Sequence, residues 1–192
     1  MKLHAILIFA IFSRVVVGAA IAQGTHSAGA SAAPSAALLP PPPIRLDGSM
    51  VRFFSGDWVG QGSFANGGAI SAKVSFRLTL DSSWLVCEHR DDPPGQYAAT
   101  LYWGVDAGTG QFLAYNFDNF QGHRVFTGNA TGKGEGWRLV LLGQAFAPGI
   151  GTYYEHFIYQ RLSDTQFKMS YETSMDAISW RLGDSLVFTR KG

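Results

Sequence analysis

The chain has 192 residues, with 15 Lys and Arg against 14 Asp and Glu, a net charge of +1 and a single cysteine. This balance of charge argues against a nucleic-acid partner, because affinity for a phosphate backbone comes from clustered Lys and Arg. Charged residues make up only 15% of the chain, whereas glycines number 23 and phenylalanines 14. Such a composition favours an all-β protein with many tight turns over a helical one.

Residues 1–22 have the pattern of a signal peptide. A basic start is followed by an apolar run from Ala5, and Ala20-Ile21-Ala22 is the small-x-small pattern at which a signal peptidase cuts. Arg14 interrupts the apolar run, so an uncleaved anchor and a wrongly assigned start codon are the alternatives. We expect cleavage after Ala22 and a soluble exported product, periplasmic or extracellular, with no stable insertion in a membrane.

Residues 23–45 are predicted to be a disordered linker, and residues 46–192 a single domain. Most of the linker is Ala, Ser, Gly and Pro, ending in the proline run Pro40–Pro43. Such a segment buries too little apolar surface to offset its ordering entropy, and the proline run makes it a semi-rigid spacer. Cys87 is the single cysteine, so no internal disulfide framework is possible. We interpret Cys87 as a small core residue, not a nucleophile.

Ten strands and one short helical turn are predicted in the domain. The helical turn is expected within residues 46–54. The clearest strand is 69–80, where Ala72, Val74 and Phe76 alternate with polar residues. Turn residues such as Asn66-Gly67-Gly68 separate the strands. The predicted strands are 58–64, 69–80, 84–90, 97–105, 111–117, 124–131, 137–146, 152–162, 167–173 and 178–190.

Short connections between these strands predict an up-and-down antiparallel β-barrel. A sheet of this many strands tends to curl, and closing it removes its edges, which would otherwise pair with other chains. A two-layered β-sandwich is the structural alternative.

The segment Gly56-Asp57-Trp58 resembles the Gly-x-Trp signature of the lipocalin and calycin superfamily. In that superfamily the tryptophan lies at the closed end of the barrel, under an Arg or Lys from the last strand. Arg190 falls on the same face of the last predicted strand as Leu186 and Phe188, which is the apolar face. The resemblance therefore implies a structural signature in which Gly56 opens the first strand and Arg190 stacks on Trp58.

Residues 46–190 as a whole resemble a family of bacterial secreted lipocalin-like proteins of unknown function. The motifs that carry this resemblance are Gly56–Gly60, Trp103–Asp106, Asn116–Phe120 and the final Leu-Val-Phe-Thr-Arg. It implies a ten-stranded barrel with no settled activity. The nitrobindins, distant relatives of that family, bind haem through a histidine close to the C-terminus. This chain has no histidine after His156, so we expect no haem. A metal site needs three or more ligands and none recur at a fixed spacing, so we expect no metal, and we expect no other cofactor.

The candidate ligand-binding residues are Glu88, Trp103, Tyr115, His156 and Tyr171. Glu155 and His156 are adjacent in a strand, so one of them must face inward, where a histidine could be a metal ligand, a general base or a core residue. Tyr171 falls on an apolar face, and its hydroxyl could orient a ligand or bond a carboxylate such as Glu88 or Glu155. The trio Glu88-His89-Arg90 is either solvated or functional.

Function is only weakly indicated. No Gly-x-Ser-x-Gly elbow and no phosphate-binding loop is present, and no oligomeric state is indicated. The leading hypothesis is a binding protein whose barrel holds a small hydrophobic or amphipathic molecule. One alternative is an isomerase, dehydratase or hydrolase using Glu, His and Tyr, which needs two titratable groups to converge in one pocket. The other is a cell-envelope interaction module with a filled barrel and an exposed apolar patch.

Overall fold

The structure, a computed structural model, describes residues 42–132 and 136–192. This part of the chain is a closed barrel of ten antiparallel strands in up-and-down order. Each strand pairs with the next in sequence, and the last pairs with the first. The predicted barrel is thus confirmed and the sandwich is wrong, because the sheet closes on itself. The predicted signal peptide, residues 1–22, and nearly all of the predicted linker lie outside the described residues.

The observed elements agree closely with the prediction. They are α1 Gly48–Phe54, β1 Gly56–Phe64, β2 Ala69–Thr79, β3 Trp84–Asp91, β4 Ala98–Val105, β5 Phe112–Asp118, β6 His123–Thr131, β7 Arg138–Ala147, β8 Gly151–Arg161, β9 Gln166–Ser174 and β10 Arg181–Arg190. The largest difference is the start of the last strand, at Arg181 and not at residue 178. Here the Asp176 carboxylate accepts hydrogen bonds from the amides of Ile178 and Ser179 at 2.8 and 2.7 Å, which holds this segment in a turn.

The helix α1 plugs one end of the barrel. Its N-terminus is capped by Asp47, whose carboxylate accepts hydrogen bonds from the amides of Ser49 and Met50 at 3.0 Å. Its C-terminal residue Phe54 is fully buried, with ring centroids 5.0 Å from Phe76 and about equally near other core aromatics. The apolar face of this short helix therefore supplies the floor of the barrel. No helix in the described ranges is long and apolar enough to span a membrane.

The predicted contact between the first and last strands is present at the same end. Trp58 and Arg190 are paired in register, and the guanidinium lies 4.2 Å from the indole centroid. Arg190 also donates hydrogen bonds to the carbonyls of Ser55, at 2.6 Å, and Phe53, so it caps the end of α1. Gly56 has a φ of +123°, and a Cβ there would lie 2.9 Å from the Arg190 guanidinium, which explains the glycine. This end of the barrel is closed.

Candidate functional site

A cavity of about 270 Å³ lies inside the barrel, towards the end opposite α1. We call it the inner cavity. One part of its wall is apolar, formed by Phe64, Ile70, Leu101, Phe157, Tyr159, Met169 and Leu186. The other part is polar, formed by His89, Asp91, Tyr97, Arg124, Tyr171 and Asp184. An enclosed apolar space with a few convergent polar groups is the usual form of a small-molecule site.

The interior of the barrel changes from apolar to polar along several strands, among them β6 and β10. On β10, the inward positions run from Phe188 and Leu186, both buried, to Asp184 near the open end. On β6, Phe126 is followed on the same face by Arg124. Because successive side chains of a strand point to opposite faces, these polar groups share the face of the core residues. They form a layer above the apolar floor, comprising His89, Asp91, Tyr97, Asn116, Asp118, Arg124, Glu155, Tyr171 and Asp184, which we call the polar layer.

Arg124 is the centre of one half of the polar layer. Its guanidinium donates to Glu155 Oε1 at 2.8 Å through Nη1, and to Asn116 Oδ1 at 3.3 Å and Asp118 through Nη2. The side chains of Asp118 and Glu155 are 5% and 0% exposed, so both ion pairs are buried. Burial alone would lower the pKa of Arg124, but the nearby carboxylate of Glu155 raises it above its ordinary value. The cation is therefore held firmly in its charged form.

Tyr171 completes this half by donating its hydroxyl to Glu155 Oε1 at 2.7 Å. Burial, and then the adjacent Glu155 carboxylate, raise the pKa of Tyr171 well above its ordinary value. Glu155 thus takes two donors on Oε1, while its buried Oε2 has no hydrogen-bond partner. An unpaired buried carboxylate oxygen is costly, and this one lies beside two groups that line the inner cavity.

The other half of the polar layer contains His89, Asp91 and Asp184. His89 Nε2 lies 2.9 Å from Asp91 Oδ1, with the two side chains 11% and 6% exposed. Asp184 has no hydrogen-bond partner on its buried Oδ1. Burial raises the pKa of Asp184 to about 6, with His89 opposing the rise and Asp91 adding to it. A titratable carboxyl near neutral pH in a cavity is typical of functional sites.

Of the predicted ligand-binding residues, Tyr171 lies in the inner cavity. Trp103 is also inside the barrel, but it is fully buried in the aromatic floor, with ring centroids 5.2 Å from Phe54 and 4.9 Å from Tyr159. It does not line the inner cavity. Tyr171 and Trp103 therefore belong to different layers of the interior.

The other three predicted residues lie on the outside of the barrel. Glu88 is exposed in a broad depression of about 580 Å³ on the outer face of β1–β4, and Tyr115 packs against Trp84 at 5.7 Å between ring centroids. His156 stacks on Trp180 and lies 3.6 Å from Glu172, and burial lowers its pKa. The inward position belongs to its neighbour Glu155. We place the site in the inner cavity, although the outer depression is larger, because the inner cavity lies inside the barrel and combines apolar walls with buried charges.

Several residues of the polar layer were not predicted. Arg124, Asp184 and Asp91 were not among the candidates, and His89 was considered only in the Glu88-His89-Arg90 trio and as a titratable group for the enzyme alternative. A signal for them exists in the sequence, since each continues the period-two pattern of an apolar face: Leu85, Cys87, His89 and Asp91 on β3, for example. What the pattern does not indicate is which of these groups meet across the lumen.

Exposed apolar side chains surround the open end. They lie on the strand ends and turns at this end and include Phe64, Phe120, Phe146, Ile150, Met175 and Ile178. Phe64 is 38% exposed and also lines the inner cavity. The surroundings of the cavity mouth are therefore apolar, which suits the entry of a ligand with an apolar part.

Side chains that commonly bind metals do not cluster in the described residues. No group of three or more His, Cys, Asp and Glu side chains there has the placement of a metal site. Cys87 is buried in the core, and burial raises the pKa of its thiol far above the ordinary value, which makes it a poor metal ligand and a poor nucleophile. The chemistry available in the inner cavity is hydrogen bonding, ion pairing and proton transfer.

Comparison with known proteins supports the fold. No protein-family model matches the sequence, and no curated protein was found to match it. Among solved structures, the chain is similar to Rv2717c from M. tuberculosis, known from its crystal structure, with 13% sequence identity and a TM-score of 0.52. The similarity covers 75% of this chain and 96% of Rv2717c. At this identity it shows a shared barrel fold and carries no activity with it.

Proposed function

We propose that the protein is a lipocalin-like binding protein that holds a small amphipathic molecule in the inner cavity. The observation that carries the proposal is the composition of the cavity wall, in which Met169, Leu186 and Leu101 face a layer of buried polar groups. The apolar part supplies affinity, and the polar groups supply orientation. Export through the N-terminal segment, residues 1–22, belongs to the same proposal and rests on the sequence pattern.

The size of the inner cavity limits the ligand. Its volume of about 270 Å³ lies just below the range of roughly 300–1,000 Å³ for pockets that take drug-sized molecules. A ligand that buries about 300 Å² of apolar surface gains roughly 7 kcal/mol at about 25 cal/mol per Å², and its immobilisation costs several kcal/mol of this. The apolar contact alone therefore gives about millimolar affinity, and we expect micromolar affinity only where a polar anchor helps.

The same features support binding without haem. The cavity is small for a porphyrin, and a histidine near the C-terminus, the ligand that the resemblance to nitrobindins implies, is absent from the sequence. His89 lies in the cavity but is bonded to Asp91. The third hypothesis, a filled barrel acting as an interaction module, is not favoured because the interior contains a cavity.

The methionines give a test that reports on position. Met169 lines the inner cavity, whereas Met50 is buried in α1 at the closed end. We would label the methionine methyl groups of the full chain with ¹³C and titrate it with 2-phenylethanol, a small neutral molecule with an apolar body. The expected result is a saturable shift of the Met169 methyl resonance with no shift of Met50.

Two matched variants separate binding in the cavity from binding elsewhere. Ile70 is half-buried at the cavity mouth, and Ile70→Trp should block entry and abolish the shift of Met169. Val59, on the outer face of the neighbouring strand, is 43% exposed, and Val59→Trp should leave the shift unchanged. A Met169 resonance that does not respond, or one that still responds in Ile70→Trp, would refute binding in the cavity.

A second candidate is an acid–base enzyme that uses the same cavity. It is favoured by one observation: the His89–Asp91 pair lines the cavity together with Tyr171 and Asp184, so several titratable groups converge. Such a site could remove a proton next to a carbonyl group. The test is exchange of that proton in D₂O, followed by NMR on small ketones and aldehydes. Exchange that is catalysed by the protein and lost in His89→Gln supports the enzyme, and no exchange contradicts it.

A further inference from the structure

Acidic groups outnumber basic groups in the polar layer. It contains four carboxyl groups, those of Asp91, Asp118, Glu155 and Asp184, against the guanidinium of Arg124 and the imidazole of His89. Arg124 serves two of these carboxylates, and His89 serves Asp91. Asp184 remains without a bonded basic partner, and its Oδ1 accepts no hydrogen bond.

This imbalance has an energetic consequence. A carboxylate that is partly removed from water is destabilised unless a cation or several donors compensate it. Burial raises the pKa of Asp184 to about 6, so the group is mostly ionised at neutral pH in spite of its surroundings. Glu155 adds a second uncompensated oxygen, Oε2, in a residue with no exposed surface. The polar layer is therefore short of positive charge.

An anionic ligand would meet no unpaired basic side chain in the polar layer. Both terminal nitrogens of Arg124 already donate, to Glu155, Asn116 and Asp118. Its remaining nitrogen, Nε, is buried and has no hydrogen-bond partner, but it belongs to a guanidinium whose charge Asp118 and Glu155 already neutralise. A carboxylate ligand in the cavity would instead lie among Asp91 and Asp184, and like charges at such distances repel.

We propose, on the basis of the binding function proposed above, that the inner cavity selects ligands with a protonated amine as their polar head. The ammonium group binds the carboxylate of Asp184, beside His89 and Asp91. The apolar body lies against Met169 and Leu186. An ammonium group supplies the positive charge that Asp184 lacks, and its three N–H donors form charge-assisted hydrogen bonds with a carboxylate, which are the strong ones.

Three probes with the same apolar body and different heads test the proposal. They are 2-phenylethylamine, 2-phenylethanol and phenylacetate, titrated at pH 7.5 into the full chain with the Met169 methyl resonance as readout. We expect the amine to bind about ten- to a hundredfold more tightly than the alcohol, and phenylacetate to bind more weakly than the alcohol. In Asp184→Asn the amine should lose this advantage, while the affinity for the alcohol changes by less than about threefold.

A matched control removes a carboxylate at the closed end. Asp81 is exposed in the turn between β2 and β3 with a φ of +54°, which asparagine tolerates, so Asp81→Asn should leave all three affinities unchanged. If the alcohol binds and the amine binds no better, or phenylacetate binds best, the amine proposal is wrong while the binding function stands. If none of the three moves Met169, the binding function fails and the amine proposal with it. An amine preference that survives in Asp184→Asn also overturns the proposal.

Discussion

Asp184 should make the folded protein less stable at neutral pH, which is the opposite of what a structural carboxylate does. The raised pKa means that the folded state binds the Asp184 proton more tightly than the unfolded state does. Folding therefore benefits from this group at low pH. The benefit declines as the pH rises from about 4, the unfolded value, through about 6, the folded value, and above that the ionised group is a constant burden.

The size of this effect follows from the difference between the two pKa values. A difference of about two pH units corresponds to roughly 3 kcal/mol, at about 1.4 kcal/mol for each unit. Asp184 is only partly buried, so solvent screens part of the effect, and we expect about 1 to 2 kcal/mol. Asp184→Asn keeps the shape of the protonated acid and removes the charge. The variant should therefore be more stable than the wild type by this amount at pH 8 and about equally stable at pH 4.

Urea unfolding followed by tryptophan fluorescence measures this difference, with both proteins compared at pH 4, 6 and 8. The comparison cancels the titration of all other groups that both proteins share. The control Asp81→Asn should parallel the wild type at every pH. If Asp184→Asn is less stable than the wild type at pH 8, or if its advantage does not grow between pH 4 and 8, Asp184 is a stabilising structural group and the reasoning about an uncompensated charge is refuted.

Three further predictions concern the closed end, the polar layer and the core. Arg190→Ala should lower the free energy of unfolding by about 3 kcal/mol, because it removes both the stacking on the indole and the hydrogen bonds that cap α1. Arg190→Lys should be more stable than Arg190→Ala but less stable than the wild type, because an ammonium group cannot replace the paired hydrogen bonds of the guanidinium. Arg124→Met should cost about 3–5 kcal/mol, since it leaves two buried carboxylates unpaired. Cys87 should not react with a thiol reagent at pH 8 until the protein is unfolded, since it is 2% exposed and burial raises its pKa.

Each of these has a control or an outcome that contradicts it. For Arg190→Ala, a loss below about 1 kcal/mol in urea unfolding would mean that solvent replaces the contacts. For Arg124→Met, the exposed Arg138→Met on β7 should change stability by less than about 0.5 kcal/mol, and adding Glu155→Gln to the Arg124 variant should recover part of the loss. For Cys87, labelling in the native state at the rate of a free thiol would show that the barrel wall opens locally.

The sequence alone was sufficient for the architecture of the barrel. In β2 one face is apolar and the other polar, and turn residues mark both ends, so local pattern and tertiary position agree. The resemblance of Gly56-Asp57-Trp58 to the Gly-x-Trp signature, together with the apolar face that Arg190 shares on the last strand, predicted the contact between Trp58 and Arg190 at the closed end. These features depend on neighbours along one strand, or on the pairing of two strands whose register the fold fixes.

The polar layer required the tertiary structure, for two physical reasons. In β8, large apolar side chains point both ways, with Phe157, Ile158 and Tyr159 all buried, so alternation does not reveal whether Glu155 or His156 faces the lumen. Alternation along a strand also tells which face of the sheet a side chain occupies, but not which residue it contacts. Arg124 of β6 bonds Glu155 of β8, which is 31 positions away in the sequence. The sequence pattern of each strand thus determined which residues form the barrel and, in most strands, which of them face its interior. Curvature of the sheet decided which buried charges meet inside it, because it brings the inner faces of β6 and β8, on either side of β7, within bonding distance.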